Sequence, residues 1–244
     1  MSDTANVEVY ADKQELAEAA ARAFVAKAAE AIEERGRFTV ALAGGSTPKA
    51  AYALLARDHA DGVDWNKVHI FFGDERSVPP EHEDSNYRMA KEALLDHVSV
   101  GSVHRMRGEL PPEQAAKFYE EDLRGFFEDE AVPRLDLVML GIGGDGHTAS
   151  LFPGTPALDV VDRLAVENPV EKLETVRITL TIPVINSARS VNFLVAGEDK
   201  AGALREILAG DGDSHTYPAK LVRPEGGALW MMDGEAAESL RKDD

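Results

Sequence analysis

Short apolar runs recur along the chain, and stretches of helical period fill the intervals between them. The runs at 7–10, 38–43, 68–72, 135–140, 191–196 and 228–232 have strand length. Most are continuous rather than alternating, which is the pattern of parallel strands covered on both faces. Amphipathic stretches at 13–35, 48–57, 86–97, 112–127 and 200–208 predict helices between them, and Asp12 with Glu15 is placed to cap the first. Strand and helix in alternation predict an α/β fold, a mainly parallel sheet flanked by helices. No repeat, low-complexity tract or long linker interrupts the series, so residues 1–244 read as a single domain ending in a short polar tail.

In such sheets ligands bind beyond the carboxyl ends of the strands. Three polar, glycine-bearing segments follow directly on predicted strands: Gly44-Gly45-Ser46-Thr47-Pro48, Gly73-Asp74-Glu75-Arg76, and the run from Gly141 to His147. The architecture brings all three to one edge, with the second read as a loop.

Composition narrows the partners. A formal net charge of −18 excludes nucleic acid as an expected partner, because the scattered acids would repel a polyanion. The absence of cysteine rules out disulfides, a thiolate nucleophile and cysteine-ligated zinc, and fits a reducing compartment. Residues 1–11 lack the basic start and apolar stretch of a signal peptide, and no run reaches the roughly 18 apolar residues of a membrane span. These features predict a cytoplasmic protein with no membrane partner; oligomeric state is left open. An acidic protein that takes an anionic substrate must gather its few cations at the site.

The first glycine segment has the means to do so. Gly44 and Gly45 let the backbone turn closely around a ligand, Thr47 is placed to cap a helix begun by Pro48, and the helix amides with the Ser46 and Thr47 hydroxyls suit a phosphate monoester. A capped turn without a ligand is the plainer alternative. The segment lacks the Gly-Lys-Ser/Thr ending of a nucleotide loop, and Ser46 lacks the second glycine of a nucleophile elbow. Gly141, Gly143 and Gly146 have the spacing of a dinucleotide loop, but Asp145 would set a carboxylate among the amides meant for pyrophosphate, and Pro153-Gly154 ends any following helix within two turns. Asp145 and His147, two apart in a tight turn, better suit a base and the acid that orients it. The acids from Asp74 to Asp84 have no regular ligand spacing, so no metal is expected, and Ser85-Asn86 reads as the cap of the next helix. Arg76, Arg177 at a strand start, and Lys200 are the candidate cations.

Taken together, the segments 43–48, 73–76, 140–154 and 195–201 resemble the 6-phosphogluconolactonase family in order and spacing over nearly the whole chain. The resemblance implies a modified Rossmann-like fold shared with glucosamine-6-phosphate deaminase, which uses no dinucleotide and no other cofactor. It implies that Gly44, Gly45, Ser46, Thr47, Arg177 and Lys200 hold the phosphate of a small sugar-phosphate lactone. His147 is then the base that activates water, with Asp145, Asp74 and Arg76 around the reacting carbon. The deaminase pattern carries a proton-transferring glutamate five residues beyond the histidine; here that position is Phe152. An apolar ring removes a step that deamination needs and lactone hydrolysis does not. A sugar-phosphate sensor without chemistry is the remaining alternative, and it would be marked by loss of the Asp-x-His pair that this chain retains.

Overall fold

A computed structural model describes residues 6–128 and 130–240. The first five residues of the N-terminal stretch and the last four of the polar tail, on which part of the sequence reading rests, lie outside them. All six predicted strands form, within two residues of the expected bounds: β1 (Asn6–Tyr10), β2 (Phe38–Leu42), β3 (Val68–Phe72), β6 (Leu137–Leu140), β9 (Val191–Val195) and β10 (Ala228–Asp233). Four further strands join them: β4 (Asp74–Arg76), β5 (Ser102–Val103), β7 (Ala165–Val170) and β8 (Thr175–Leu180). The helices are α1 (Lys13–Arg35), α2 (Ser46–Asp58), α3 (Asn86–Ala90, continued by a π turn at Lys91–Leu95), α4 (Pro112–Phe126), α5 (Ile182–Ser187) and α6 (Ala201–Leu208). Among the described residues no helix is long and apolar enough to cross a membrane.

Seven strands form one parallel sheet in the order β1-β10-β9-β6-β2-β3-β5. Its continuous apolar strands supply both covers. On one face Phe38, Val40 and Leu42 of β2, with Ile70 and Phe72 of β3, pack under α1 and α2 through Phe24, Tyr52 and Leu55. On the other, Ala41, Phe71, Leu140 and Phe193 meet α4 and a second sheet through Leu123, Ile178 and Leu180. Asp12 caps α1 by accepting from the amides of Gln14 and Glu15, and Glu15 reaches back to the Ala11 amide.

The second sheet, β4-β8-β7, is antiparallel. It corrects the reading of 73–76 as a loop: Asp74–Arg76 is a strand, paired with the one that carries Arg177. Three residues are too short for a periodic signal, and the strand's pairing comes from a segment about a hundred residues away. Thr47 also differs from expectation, since α2 starts two residues earlier than Pro48, at Ser46, with Gly45 as N-cap and no side-chain cap bond. After Gly146 the chain makes a bridged turn, Thr148 to Leu151, rather than a short helix.

Candidate active site

Sheet order alone gathers the four segments singled out above. β9, β6, β2 and β3 are successive neighbours and all parallel, so Gly197–Lys200, Gly141–His147, Gly44–Thr47 and Gly73–Arg76 emerge side by side. The chain runs from β2 outward to β3 and later returns to β6 on the opposite side, so the order reverses between β2 and β6. That crevice is where open α/β sheets bind ligands. The Gly44 turn and the His147 turn are its two banks.

Two buried tyrosines fix the ends of the strands that lead into it. The Tyr52 hydroxyl accepts from the amide of Ala43 (2.9 Å) and donates to its carbonyl (3.0 Å), just before Gly44. Tyr119 does the same for Phe72, at 2.9 Å each way, just before Gly73. Burial pushes both phenols up from their ordinary value, so each keeps its proton as a donor. Backbone groups that leave the sheet ladder are thus satisfied without a further strand.

His147 is held on three sides. Its Nδ1 lies 2.5 Å from Oδ1 of Asp145, whose other oxygen pairs with Lys172. Its ring stacks on Phe152 with centroids 4.2 Å apart and planes at 25°. Its edge rests on Gly143, where a Cβ would stand 2.1 Å from Nδ1, so only glycine leaves room for the ring. Burial raises the Asp145 carboxyl, but the hydrogen bonds from His147 and Lys172 outweigh it and hold the acid well below the usual carboxylate range. An ionised carboxylate only accepts, so Nδ1 is the donor of this contact, and in the neutral imidazole the free lone pair is then on Nε2.

Period-two alternation in the second sheet aligns a further set. Arg76 faces Arg177 across β4 and β8, Asp74 faces Thr179, and Asn168 of β7 faces Arg177, so all five side chains share one face. Ser150 ties this face to the histidine turn. Its hydroxyl donates to Asp74 (2.6 Å), its amide to Thr179 Oγ1 (3.3 Å), and its carbonyl accepts from Asn168 (2.9 Å). Asn86 ties the face to the Gly44 turn by donating to the Asp74 carboxylate (3.1 Å), while a Cβ on Gly44 would lie 2.0 Å from its Oδ1.

The two arginines are unusual. The buried Nε of each has no hydrogen-bond partner, and neither has an ion-pair partner among the described residues; Arg76 does donate from Nη1 to the carbonyl of Asp84. Burial, and then Arg76 beside it, press the Arg177 pKa down against the pull of Asp74, Asp84 and Glu75. Glu75, on the opposite face, is spent on structure. It accepts from the amides of Arg76, Asn86 and Tyr87 and from the Ser85 hydroxyl at 2.7–3.0 Å, and Ser85 caps α3 as expected.

Ser46 and Thr47 make no side-chain hydrogen bond with other described residues, and with no cap in place the first amides of α2 are open to an anion. Lys200 pairs with Asp199 at 2.8 Å, and the Asp199 carbonyl packs against Gly144. No hydrogen bond or ion pair joins Lys200, Arg177 and Ser46 to one another among the described residues. Lys172, Ser150, Asn86 and Thr179 escaped the sequence reading. Their roles are set by tertiary contact, and only the Ser85-Asn86 cap left a local signal.

Fold and site together define an α/β protein with a histidine–aspartate pair and paired arginines at the switch point of a parallel sheet. The chain belongs to the family described as glucosamine-6-phosphate isomerases/6-phosphogluconolactonase, whose profile matches residues 11–231. It is 48% identical over 240 residues to the 6-phosphogluconolactonase of Synechocystis sp., covering 96% of this chain and 98% of the relative. To that of Streptomyces coelicolor it is 38% identical, covering 98% and 96%. Its structure is similar to 6-phosphogluconolactonase from Trypanosoma brucei, with a TM-score of 0.86 at 32% identity over 97% of this chain and 98% of the other.

Proposed function

We propose that this protein hydrolyses 6-phospho-D-glucono-1,5-lactone to 6-phospho-D-gluconate, a step of the oxidative pentose phosphate pathway, with His147 as general base. The observation that carries the reading is the stack of Phe152 on His147 beside an intact Asp145 contact. The site has one base, oriented and unencumbered at Nε2, and an apolar ring where the deaminase pattern has a second proton-transfer group. The relatives named 6-phosphogluconolactonase support the substrate.

The substrate phosphate is taken by the Ser46 and Thr47 hydroxyls, the open amides of the Gly44–Gly45 turn and α2, and the cations Arg177 and Lys200. Anchoring that end fixes the lactone carbonyl at the opposite bank. Nε2 of His147 takes a proton from water as the water oxygen attacks C1, and the carbonyl electrons move onto oxygen. Arg76 and the glycine-turn amides stabilise that oxyanion. When it collapses, the bond from C1 to the ring oxygen breaks, and the imidazolium returns its proton to the departing alkoxide. Asp145 holds the imidazole through both half-steps. Asp74, anchored by Ser150 and Asn86, orients the attacking water through its remaining lone pairs.

The reading is tested by following acid release from the lactone in a pH-stat, with ammonia from glucosamine 6-phosphate assayed alongside. Hydrolysis well above the spontaneous rate and no ammonia are expected. Substantial ammonia release would sink it.

A further inference from the structure

We propose that Lys172 is a positioning residue for the Asp145–His147 pair, one that neutralises part of the aspartate's charge and so keeps the imidazole in its basic form; this rests on the hydrolytic reading above. Lys172 lies in the turn between β7 and β8, on the single helical turn Glu171–Leu173. It comes from a different element than the histidine turn, yet it touches two of the groups that hold His147. Its Nζ pairs with Oδ2 of Asp145 and stands 4.9 Å from the centroid of the Phe152 ring.

The two carboxylate oxygens therefore have separate partners, Oδ1 the imidazole and Oδ2 the ammonium. That division has two effects. Rotation of the carboxylate is stopped, so the Nδ1 contact keeps its direction. The ammonium also competes with a protonated imidazole for the same negative charge, which disfavours imidazolium and frees Nε2 to accept a proton at lower pH. The ammonium beside the Phe152 ring adds a cation–π contact, which ties Lys172 to the second group that packs on the imidazole.

Among the described residues, the other groups packed on the histidine turn do not present a charge to Asp145 in any hydrogen bond or ion pair. Asp199 meets the histidine turn through its carbonyl at Gly144, Tyr217 through its ring at Gly146, and the Asp74 carboxylate is turned to Ser150 and Asn86. Among the described residues, Asp145 is the charged side chain bonded to the imidazole, and Lys172 the one paired with that carboxylate.

The test compares Lys172→Met and Lys172→Arg with the wild type by two readouts. One is the pH dependence of kcat/KM on the lactone; the other is an NMR titration of the His147 imidazole in the free protein. In Lys172→Met the acid limb and the imidazole midpoint should both move to higher pH by about half a unit, the size expected of a half-exposed charge pair. Lys172→Arg should restore both. An imidazole midpoint unmoved in Lys172→Met overturns the proposal. A midpoint that moves while the acid limb stays put upholds Lys172 and removes His147 as the base, so the two failures are told apart.

Discussion

Arg76 and Arg177 are cross-strand partners on β4 and β8, and the buried Nε of each lacks a hydrogen-bond partner among the described residues. Two like charges so placed repel each other in the folded protein, and in the proposed site the phosphate held by Arg177 offsets that repulsion. Charge-assisted contacts contribute roughly 1.5–3 kcal/mol each, so Arg177→Met should raise KM by about 10-fold or more. Its Tm should stay level or rise, because a desolvated charge and its repulsion are removed together. Steady-state kinetics and thermal unfolding on the same preparation check this. A lowered Tm with unchanged KM would assign Arg177 a purely structural role.

Six of the seven strands of the parallel sheet and the helices α1–α4 and α6 were legible in the sequence because they rest on local periodicity. The glycine-bearing segments at 44–48, 73–76 and 141–147 stood out because each follows one of those strands; β5, two residues long, and α5 left no such signal. Runs such as Phe38–Leu42 and Val191–Val195 are fully buried and read as such. The second sheet was not legible. β4 is three residues long, and β7 contains Glu167, Asn168 and Pro169, which argue against a strand on composition. Asp145 and His147 stood out because they are two apart in one turn. Lys172 did not, since its partner is 27 residues away and an exposed lysine on a turn is ordinary until the hairpin folds over.

Gly143 leaves the room that the imidazole occupies. With a Cβ placed 2.1 Å from Nδ1, Gly143→Ala should push the ring off Asp145. Losing the oriented base costs a factor of roughly 10² or more in kcat, with KM changed little. Kinetics on a variant whose circular dichroism matches wild type measures it, and near-normal kcat would mean the ring is not held there during turnover.

Glu75 makes a separate prediction, about stability. Burial raises its carboxyl above the usual range despite three backbone amides that favour the charged form. Ionising Glu75 therefore costs stability: the cost is absent below the unfolded pKa and appears as pH rises through the lifted folded value. Glu75→Gln removes this term but points an amide group at donors, leaving buried N–H groups unpaired at about 1–3 kcal/mol each. At neutral pH the variant should unfold at a lower denaturant midpoint, and equal midpoints would refute the donor count.

Both acids of the 73–76 segment are engaged by protein donors, Asp74 by Ser150 and Asn86, Glu75 by Ser85 and three amides. Adjacent on one strand, the two carboxylates also point to opposite faces of β4 and so do not converge on one ion. Lactonase activity should survive prolonged EDTA treatment, and loss that is reversed by a divalent ion would reassign the segment as metal ligands.

His147 is tested as the base most directly by kcat for His147→Ala on 6-phosphogluconolactone, corrected for spontaneous opening. General-base catalysis contributes roughly 10²–10⁴-fold, so kcat should fall by about that factor while KM stays within a few-fold, the phosphate contacts being intact. A folded His147→Ala protein that turns over at the wild-type rate would contradict the mechanism and leave the histidine turn without a part in the chemistry.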